Sequence, residues 1–594
     1  MLNLFNYARR RSDTVRVGNI TIGGDSPIRV QSMTTTNTND TEASVAQAER
    51  IINAGGELVR LTTQGVREAE NMKNINALLR SHGYDTPLVA DVHFNPNVAD
   101  VAALYCEKVR INPGNYVDPA RTFKHVEYTT EEYTAELQRL DDRLVPFLKI
   151  CKENNTAIRI GVNHGSLSDR IMSHYGDTPA GIVESCMEFL RICRREKFGD
   201  VVISIKASNT VVMVQSVRLL VKRMEEEDMH YPLHLGVTEA GEGEDGRIKS
   251  AVGIGALLSD GIGDTIRVSL SEEPEEEIPV ARSLVDYIAK RGGHLTIPAE
   301  TAPDFCYEQP QRRHTHAVGN IGGNNVPVVI ANEASGDLVP DYIFSSENFL
   351  LSSSGQRCPL FSHAAMPLVG TSDAPIKFLV LQYGVAIEEY VACLKAHPEI
   401  VVVAVSNHQN RVGELRALIH EMTATGITNP VVVAQMYRHG AAEKEAFQLE
   451  AAADMGALMF DGLVDGIWLL NDGDLPAADV TATAFAILQA ARLRTVKTEY
   501  ISCPGCGRTL YDLRSTIARI KSATSHLKHL KIGIMGCIVN GPGEMADADY
   551  GYVGAGRGKI SLYRRKECVL KNIPEEEAVD RLLELIENDE KQGK

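Results

Sequence analysis

The stretch LHLGVTEAGEGEDGRIKSAVGIGALLSDGIGDTIRVSL, residues 233–270, decides the fold because it contains a complete strand–helix–strand unit. Its two ends, LHLGVTEAG and TIRVSL, are short runs rich in β-branched and apolar residues, which is typical of strands. The segment between them repeats apolar residues at helical spacing. It is also long enough to connect two parallel strands. The pattern therefore predicts one repeat of an α/β domain.

The same repeat recurs upstream. Six further strands are predicted, namely IRVQSM from Ile28, LVRLTT from Leu58, PLVADVH from Pro87, KVRINPG from Lys108, AIRIGVN from Ala157 and VVISIKAS from Val201. Helix-like segments such as TEASVAQAERIINAGG separate them. Eight strand–helix repeats over roughly 250 residues predict a TIM (β/α)8 barrel. An open, doubly wound sheet is the alternative.

Basic residues lie within or near the carboxyl ends of five predicted strands: Arg60, Arg110, Arg159, Lys206 and Arg267. Polar and acidic residues accompany them: Asp91, His93, Asn112, Asn163, Ser208, Glu239 and Ser269. In a TIM barrel these strand ends meet on the face that carries active sites. One such arginine is adequately explained as an ion-pair partner. Five like charges repel unless an anion neutralises them, and arginine matches phosphate geometry. The pattern predicts a site for a small phosphate ester or diphosphate.

Two loops near the C-terminus carry three cysteines. ISCPGCGRT, residues 501–509, contains Cys503 and Cys506, and KIGIMGCIVNGPGEMAD, residues 531–547, contains Cys537. Structural zinc requires four closed ligands. An iron–sulfur cluster held by fewer than four thiolates leaves one iron open. No fourth cysteine or well-spaced histidine accompanies Cys537, but Glu544 offers a carboxylate. An open iron–sulfur cluster, a structural zinc and ordinary reduced thiols therefore remain as interpretations.

The middle of the chain is predicted to form a second, less regular α/β barrel or partial barrel. Its strand candidates are VPVVIAN, DYIFSS, IKFLVLQ, IVVVAVS, PVVVAQM and GIWLL, and their ends offer Asn332, Gln382, Ser406, Asn407 and Gln435 without a ring of cations. A spacer and packing domain is favoured over a duplicated barrel that lost its site. His314 and His316 are a weak indication of metal. The predicted domains are residues 1–293, 294–497 and 498–594, and the last is predicted to be a small α+β domain.

Composition excludes several classes of function. The chain has 61 basic and 78 acidic residues and a net charge of −17, which argues against nucleic-acid and anionic-membrane partners. Its 11 cysteines follow no regular framework, as is usual in a reducing compartment. No run approaches the ~18 apolar residues of a membrane span. The first residues also lack the apolar core of a secretory signal. A cytoplasmic protein is predicted.

The strings CPGCGRT and GCIVNGPGE resemble the C-terminal domain of the 4-hydroxy-3-methylbut-2-en-1-yl diphosphate synthase family of the non-mevalonate isoprenoid pathway. KVRINPGN, IRIGVNHGSL, LGVTEAG and GDTIRVSL resemble the barrel strands of the same family. The resemblance implies that Cys503, Cys506, Cys537 and Glu544 hold a [4Fe–4S] cluster. It implies that the diphosphate is held by Arg60, Arg110, Arg159, Lys206, Arg267 and Ser269, while Asn163 and Glu239 face the reacting carbons. For Asp91 and His93, a structural pair and a catalytic pair both remain open.

The resemblance also implies an iron–sulfur oxidoreductase acting on CH/CH2 groups. Its substrate would be 2-C-methyl-D-erythritol 2,4-cyclodiphosphate, which is opened and reductively dehydroxylated to (E)-4-hydroxy-3-methylbut-2-enyl diphosphate and water. Ferredoxin or flavodoxin would supply two electrons, Glu239 would act as general acid or shield charge on carbon, and Glu544 would yield its place to substrate.

This chain resembles the longer form of the family, which has an inserted middle domain. In the two-domain form the cluster serves the barrel of a partner subunit, so a homodimer is one expectation for this chain too. An alternative from another class is a phosphate-binding barrel with a structural zinc. Such a protein would act as a lyase, or as an aldolase in which Lys206 forms a Schiff base.

Overall fold

The computed structural model of the chain describes residues 3–118, 127–539 and 541–591. These residues form two compact units. One unit comprises the described parts of Met1–Arg10, Arg247–Ile262 and Ser283–Val496, and the other those of Arg11–Gly246, Gly263–Arg282 and Lys497–Lys594. The three-domain division at residues 293 and 497 stays a prediction.

Eight parallel strands build the first barrel, as the strand–helix repeat predicts. They are Arg29–Met33, Leu58–Thr63, Leu88–Val92, Lys108–Ile111, Ala157–Asn163, Val201–Lys206, His234–Leu235 and Thr265–Ile266. Neighbouring strands along the chain pair up to Val201–Lys206, and the last strand pairs with both the first and the seventh. A parallel bridge between Ile203 and Leu233 brings the remaining two edges together. The TIM-barrel prediction is confirmed and the open-sheet alternative is wrong.

The helices between and after these strands are Thr41–Asn53, Val66–Ser81, Pro96–Ala102, Thr130–Asn154, Asp169–Tyr175, Pro179–Arg195, Thr210–Glu226, Gly243–Ser259 and Glu277–Ala289. An antiparallel hairpin of Val15–Val17 and Ile20–Ile22 precedes the first strand. Val15, Val17 and Ile22 pack against residues at the beginnings of strands, among them Leu58 and Val89. This apolar packing fills the amino-terminal end of the barrel. Ligands are therefore left with the carboxyl-terminal end.

The last two strands are shorter than predicted, because each contributes only two residues to the sheet. Beyond Leu235 the backbone leaves the extended conformation, with φ of +49° at Glu239 and +105° at Gly241. A Cβ at Gly236 would lie 2.7 Å from the Lys206 Nζ, so glycine makes room there for the lysine side chain. The residues after the sheet thus form loops that border the barrel opening.

The middle segment forms a closed barrel of its own. Its strands are Val328–Ala331, Tyr342–Ser345, Phe349–Ser352, Arg357–Phe361, Lys377–Leu381, Ile400–Val405, Val431–Tyr437 and Gly466–Asn471. The second to fourth strands are joined as antiparallel hairpins, and the other pairs are parallel. Its helices are Ile387–Ala396, Arg411–Ala424, Lys444–Phe460 and Ala477–Ala490. The prediction of a second, less regular barrel is confirmed.

The C-terminal segment is a five-stranded sheet covered by helices. The strands are Glu499–Ser502, Lys531–Met535, Tyr550–Gly556, Lys559–Arg564 and Glu567–Pro574, paired in that order. Helices Leu513–Thr524 and Glu575–Lys591 contribute Ile517, Ile520, Leu582 and Ile586 to its apolar core. This is the small α+β fold that the sequence predicts. Among the residues that the structure describes, no helix is both long and apolar enough to span a bilayer.

Candidate active site

The five basic residues predicted at strand ends line a single cavity at the carboxyl end of the first barrel. Arg60, Arg110, Arg159, Lys206 and Arg267 are all buried around it. The cavity has an empty volume of about 720 Å³, part of which is open to solvent. Asp91, His93, Asn163, Glu239 and Ser269 also line it. The barrel geometry explains this gathering, since the carboxyl ends of all eight strands lie on one face.

Arg110 is the hub of the polar contacts on one side of the cavity. Its Nη1 donates to the Asp91 Oδ1 at 2.8 Å and contacts the His93 Nε2, while its Nη2 donates to the Asn163 Oδ1 at 3.0 Å. Burial alone raises the pKa of Asp91, but Arg110 and Arg60 outweigh it and hold this pKa well below its usual value. Asp91 is therefore an ionised counter-charge to two of the arginines.

Arg267 on the other side already has a carboxylate partner. Its Nε donates to the Glu277 Oε2 and its Nη2 to the Glu277 Oε1, both at 2.9 Å. This bidentate geometry fixes the plane of the guanidinium group. Arg60 instead directs its Nε and Nη2 to the Met33 sulfur, at 3.1 and 3.0 Å. A thioether accepts only weakly.

Arg159 and Lys206 bring positive charge for which no carboxylate of the described residues provides a direct ion pair. The Arg159 Nε and Nη1 are buried without a hydrogen-bond partner among the described residues. Burial, followed by neighbouring cations including Arg60, lowers the pKa of both side chains well below their ordinary values. A bound multivalent anion would supply the missing acceptors and raise both pKa values again. The two residues therefore favour an anion site.

The three cysteines line the same cavity from the opposite side. Cys503 and Cys506 follow the strand Glu499–Ser502, and Cys537 follows the parallel neighbouring strand Lys531–Met535. Gly505 adopts a φ of +84°, which only glycine enters freely and which turns the backbone between the first two cysteines. Burial raises the pKa of Cys503, with Glu239 and then the other two thiols adding to the rise. All three sulfurs therefore share one electrostatic environment.

No three His, Cys, Asp or Glu side chains of the described residues are gathered closely enough to hold a single metal ion. The structural zinc site that the sequence left open as an alternative would need such a group. A cluster of several iron and sulfide ions is larger than one ion, so its thiolate ligands lie farther apart around it. Three cysteines spread around one cavity are compatible with that arrangement.

Glu544, the predicted fourth ligand, makes hydrogen bonds to loops of the barrel. Thr238 donates its Oγ1 to the Glu544 Oε2 at 2.9 Å, and the Ser208 backbone N–H donates to the same oxygen at 3.2 Å. The other oxygen, Oε1, is buried without a hydrogen-bond partner among the described residues. Burial and then the neighbouring Glu239 raise the pKa of Glu544 well above its usual value. One oxygen of the Glu544 carboxylate is thus available as a ligand.

The cysteine-bearing domain is docked on the barrel of its own chain, within one compact unit. Ala240 and Ser502 form a parallel bridge, and the Ser271 Oγ donates to the Cys503 carbonyl at 2.9 Å. The backbones approach most closely at Gly165, where a Cβ would lie 2.5 Å from the Glu544 nitrogen. The barrel cavity and the cysteine loops therefore belong to the same compact unit.

Glu239 lines the cavity close to the thiols and to Glu544, as its electrostatic influence on both shows. Its φ of +49° is uncommon for a residue with a side chain and is sustained only by the surrounding structure. Such strained positions cluster at functional sites. Ser208 lies nearby but binds Glu544 through its backbone and side chain. Asn112 donates to the Ser166 Oγ at 2.9 Å and so supports a loop.

Sequence reasoning missed three residues that shape this site. Arg508 lines the cavity from the cysteine side, Thr238 binds Glu544, and Met33 contacts Arg60. Arg508 carried a signal, because it lies in the CPGCGRT string immediately after the second cysteine and its glycine. The other two had none, since a threonine and a methionine are unremarkable in strands or loops.

The middle barrel presents no comparable ring of cations among its described strand ends. Asn332 accepts from the Trp468 Nε1 at 3.0 Å, and Ser406 donates to the Glu414 Oε2 at 2.6 Å. His316 contacts the Thr428 Oγ1 and the Pro398 carbonyl, as a histidine with a structural role does. These contacts are structural ones, and the role of a spacer and packing domain stays a prediction.

Fold and site together define a TIM-barrel protein whose cation-lined opening is covered by a small cysteine-bearing domain. The chain matches the family models described as GcpE TIM-barrel domain, over residues 12–282, and GcpE protein C-terminal domain, over residues 499–588. It belongs to the 4-hydroxy-3-methylbut-2-en-1-yl diphosphate synthase family. The recognition made from the cysteine and barrel strings is confirmed.

Three relatives illustrate the match, and all three are named 4-hydroxy-3-methylbut-2-en-1-yl diphosphate synthase (flavodoxin). The protein of Bacteroides thetaiotaomicron is 65% identical over 612 residues, covering 100% of both chains. That of Porphyromonas gingivalis is 50% identical over 99% of this chain and 98% of its own length. That of Leptospira interrogans is 41% identical over 99% and 97%. The similarity therefore includes the middle domain.

Proposed function

We propose that this chain reduces and opens 2-C-methyl-D-erythritol 2,4-cyclodiphosphate to (E)-4-hydroxy-3-methylbut-2-enyl diphosphate and water. One observation carries the proposal: a single cavity within one compact unit joins five strand-end cations to three cysteines. The cations supply a site for a diphosphate, and the thiols supply ligands for a redox centre. A hydrolase or lyase would need only the first of these.

The diphosphate is assigned to the barrel side of the cavity. Among the residues that the structure describes, no carboxylate forms an ion pair with Arg159 or Lys206, and two buried donors of Arg159 have no acceptor. Arg110 and Arg267 are held in place by Asp91 and Glu277, so their guanidinium groups are oriented before substrate arrives. Arg60 and Ser269 complete the proposed binding set. As the ring opens, negative charge grows on the released phosphate oxygen, and these fixed cations stabilise it.

The thiols of Cys503, Cys506 and Cys537 would hold a [4Fe–4S] cluster, with Glu544 as the fourth ligand. The donor set fits, because thiolates are the ligands of such clusters and one oxygen of Glu544 has no hydrogen-bond partner in the described part of the chain. Burial raises the pKa of Cys503 and of Cys537, and a bound metal centre would favour their thiolate forms. When bound, the cluster would supply electrons one at a time.

The chain's own residues provide the remaining chemistry. Glu239 lines the cavity near the cysteines and is the proposed source of the proton that lets the hydroxyl leave as water, or the charge that shields a positive carbon. Asn163 is held by Arg110 and would orient the carbon skeleton. Docking of the cysteine loops on the barrel would limit the access of bulk water to the reacting atoms.

Flavodoxin is the proposed electron donor, because the relatives carry it in their names. Ferredoxin remains the second candidate from the sequence. Supplying each reduced protein to the loaded enzyme and following product formation distinguishes them.

The proposal is tested by loading the protein with iron and sulfide under anaerobic conditions. About four iron and four sulfide per chain are expected, together with turnover of the cyclodiphosphate when a one-electron reductant is present. Cys537→Ala should lose the cluster signal and turnover. Cys568→Ala is the matched control, since this cysteine belongs to the same domain but does not line the cavity. Stoichiometric zinc in colourless, reductant-independent enzyme would refute the proposal in favour of a lyase or aldolase.

A further inference from the structure

Arg508 occupies a position that differs from that of the other five cavity cations among the described residues. Those five belong to barrel strands or directly follow one, whereas Arg508 belongs to the loop that follows Cys506. Its side chain is 10% exposed, and its Nη2 lies 3.7 Å from the Asp91 Oδ2 of the barrel. It therefore reaches across from the cysteine loops to the barrel wall.

The hydrogen-bonding groups of Arg508 are only partly used. Its Nε and Nη1 are buried without a hydrogen-bond partner among the described residues, although the side chain borders the cavity. Leaving donors of a buried guanidinium unpaired is unfavourable unless a ligand completes them. The orphaned donors therefore point to an acceptor that occupies the cavity.

The position of Arg508 in the chain places it on the cysteine side of the cavity. Arg508 follows Cys506 by two residues and lines the cavity together with Cys503, Cys506 and Cys537. An acceptor held by the three thiols would therefore occupy the cavity that the guanidinium borders.

A fixed positive charge beside a redox centre stabilises the form that has gained an electron. Net charge and hydrogen bonds to sulfur are among the main determinants of iron–sulfur potentials. The effect is large in a buried site, where little solvent screens the charge. Arginine is suited to this role because it keeps its charge when buried and holds several donors in a fixed plane.

We propose that the positive charge of Arg508 lies beside the cluster and raises the cluster's reduction potential. The inference rests on the proposed function, since it requires a cluster on the three cysteines. It assigns a role in electron transfer to the arginine of the CGRT string.

Redox titration of the loaded full-length chain, followed by the electron paramagnetic resonance of the reduced cluster, tests this role. Arg508→Gln should lower the potential, so that at a fixed potential the ratio of reduced to oxidised cluster falls about tenfold, which is about 59 mV for one electron. Arg508→Lys keeps the charge and should recover more than half of that shift. Turnover with a weak reductant should fall more than turnover with a strong one.

Two control variants distinguish an effect of the Arg508 charge from an effect of docking the cysteine-bearing domain on the barrel. Arg514 also links the cysteine-bearing domain to a barrel carboxylate, Glu273, at 2.8 Å, but it does not line the cavity. Arg514→Gln should leave the potential unchanged. Asp91→Asn removes a negative charge from the lining of the same cavity and should raise the potential, opposite to Arg508→Gln. If Arg508 only held the cysteine-bearing domain on the barrel, the two variants would not shift the reduction potential in opposite directions.

An unchanged potential in Arg508→Gln, or shifts of the same sign in the Arg508 and Asp91 variants, would overturn the inference. If Arg508→Gln does not retain iron, the reduction potentials of Arg508→Lys and Asp91→Asn are compared instead. Shifts of the same sign in these two variants would again overturn the inference. Failure of the wild-type chain to take up a cluster refutes the proposed function instead, so the two failures are distinguishable.

Discussion

A methyl group added at Gly165 should move the loop that carries Glu544 away from the barrel. A Cβ at this position would lie 2.5 Å from the Glu544 nitrogen and 2.7 Å from the Gly543 carbonyl carbon, where ordinary contacts begin at 3.4 Å. The obstacles are backbone atoms, so no side chain can rotate away. The loop that carries Glu544 must therefore retreat by about 1 Å, and a displacement of that size can reduce turnover by about 10²-fold.

The retreat would also stretch the hydrogen bonds that anchor the loop. The Ser208 Oγ donates to the Glu544 carbonyl at 2.6 Å and the Thr238 Oγ1 to its carboxylate at 2.9 Å, and both weaken steeply as the distance grows. The cysteines are not displaced directly, so iron content should remain close to that of the wild type.

The assay is turnover of Gly165→Ala with an artificial one-electron reductant, with iron and sulfide measured on the same sample. Gly199→Ala is the matched control, because a Cβ at Gly199 meets nothing within 4 Å. Turnover of Gly165→Ala within about threefold of wild type would refute the reasoning, since a displacement of about 1 Å is expected to cost far more. Loss of iron along with activity would place the effect on cluster binding and not on docking.

Three further outcomes are expected. Glu277→Gln strips the buried Arg267 of its two-pronged partner and should lower the free energy of unfolding by about 3–5 kcal/mol in urea titrations. The pKa of Asp91 in the folded protein is held well below its unfolded value of about 3.9. The stabilisation that ionised Asp91 provides is therefore complete above that pH and is lost as the pH falls towards the folded-state pKa. The difference in free energy of unfolding between wild type and Asp91→Asn should shrink below about pH 4. The pKa of Lys206 is lowered without ligand, and a bound anion raises it, so binding of inorganic pyrophosphate should be accompanied by proton uptake. This uptake should appear as a buffer-dependent calorimetric enthalpy that Lys206→Met lacks.

The strand predictions succeeded where burial imposes a strong pattern. LVRLTT and AIRIGVN match the observed strands Leu58–Thr63 and Ala157–Asn163 residue for residue. The middle barrel's hairpin strands Phe349–Ser352 and Arg357–Phe361 were missed because they are short and partly exposed, which leaves a weak periodicity. The final two barrel strands were predicted too long, since loop geometry at Gly236 and beyond is set by the approach of Lys206 and other distant residues.

Local chemistry in the sequence determined that the barrel would form, that its strand ends would carry cations, and that two glycine-rich loops would present three thiols. Each of these follows from short-range patterning: alternating burial, helix spacing and the turn preference of glycine. Only the tertiary structure decided that the thiols face the barrel of the same chain, that Glu544 binds Ser208 and Thr238, and that Arg508 approaches Asp91. These contacts join residues hundreds of positions apart, and no local preference of the backbone encodes which distant surfaces will meet.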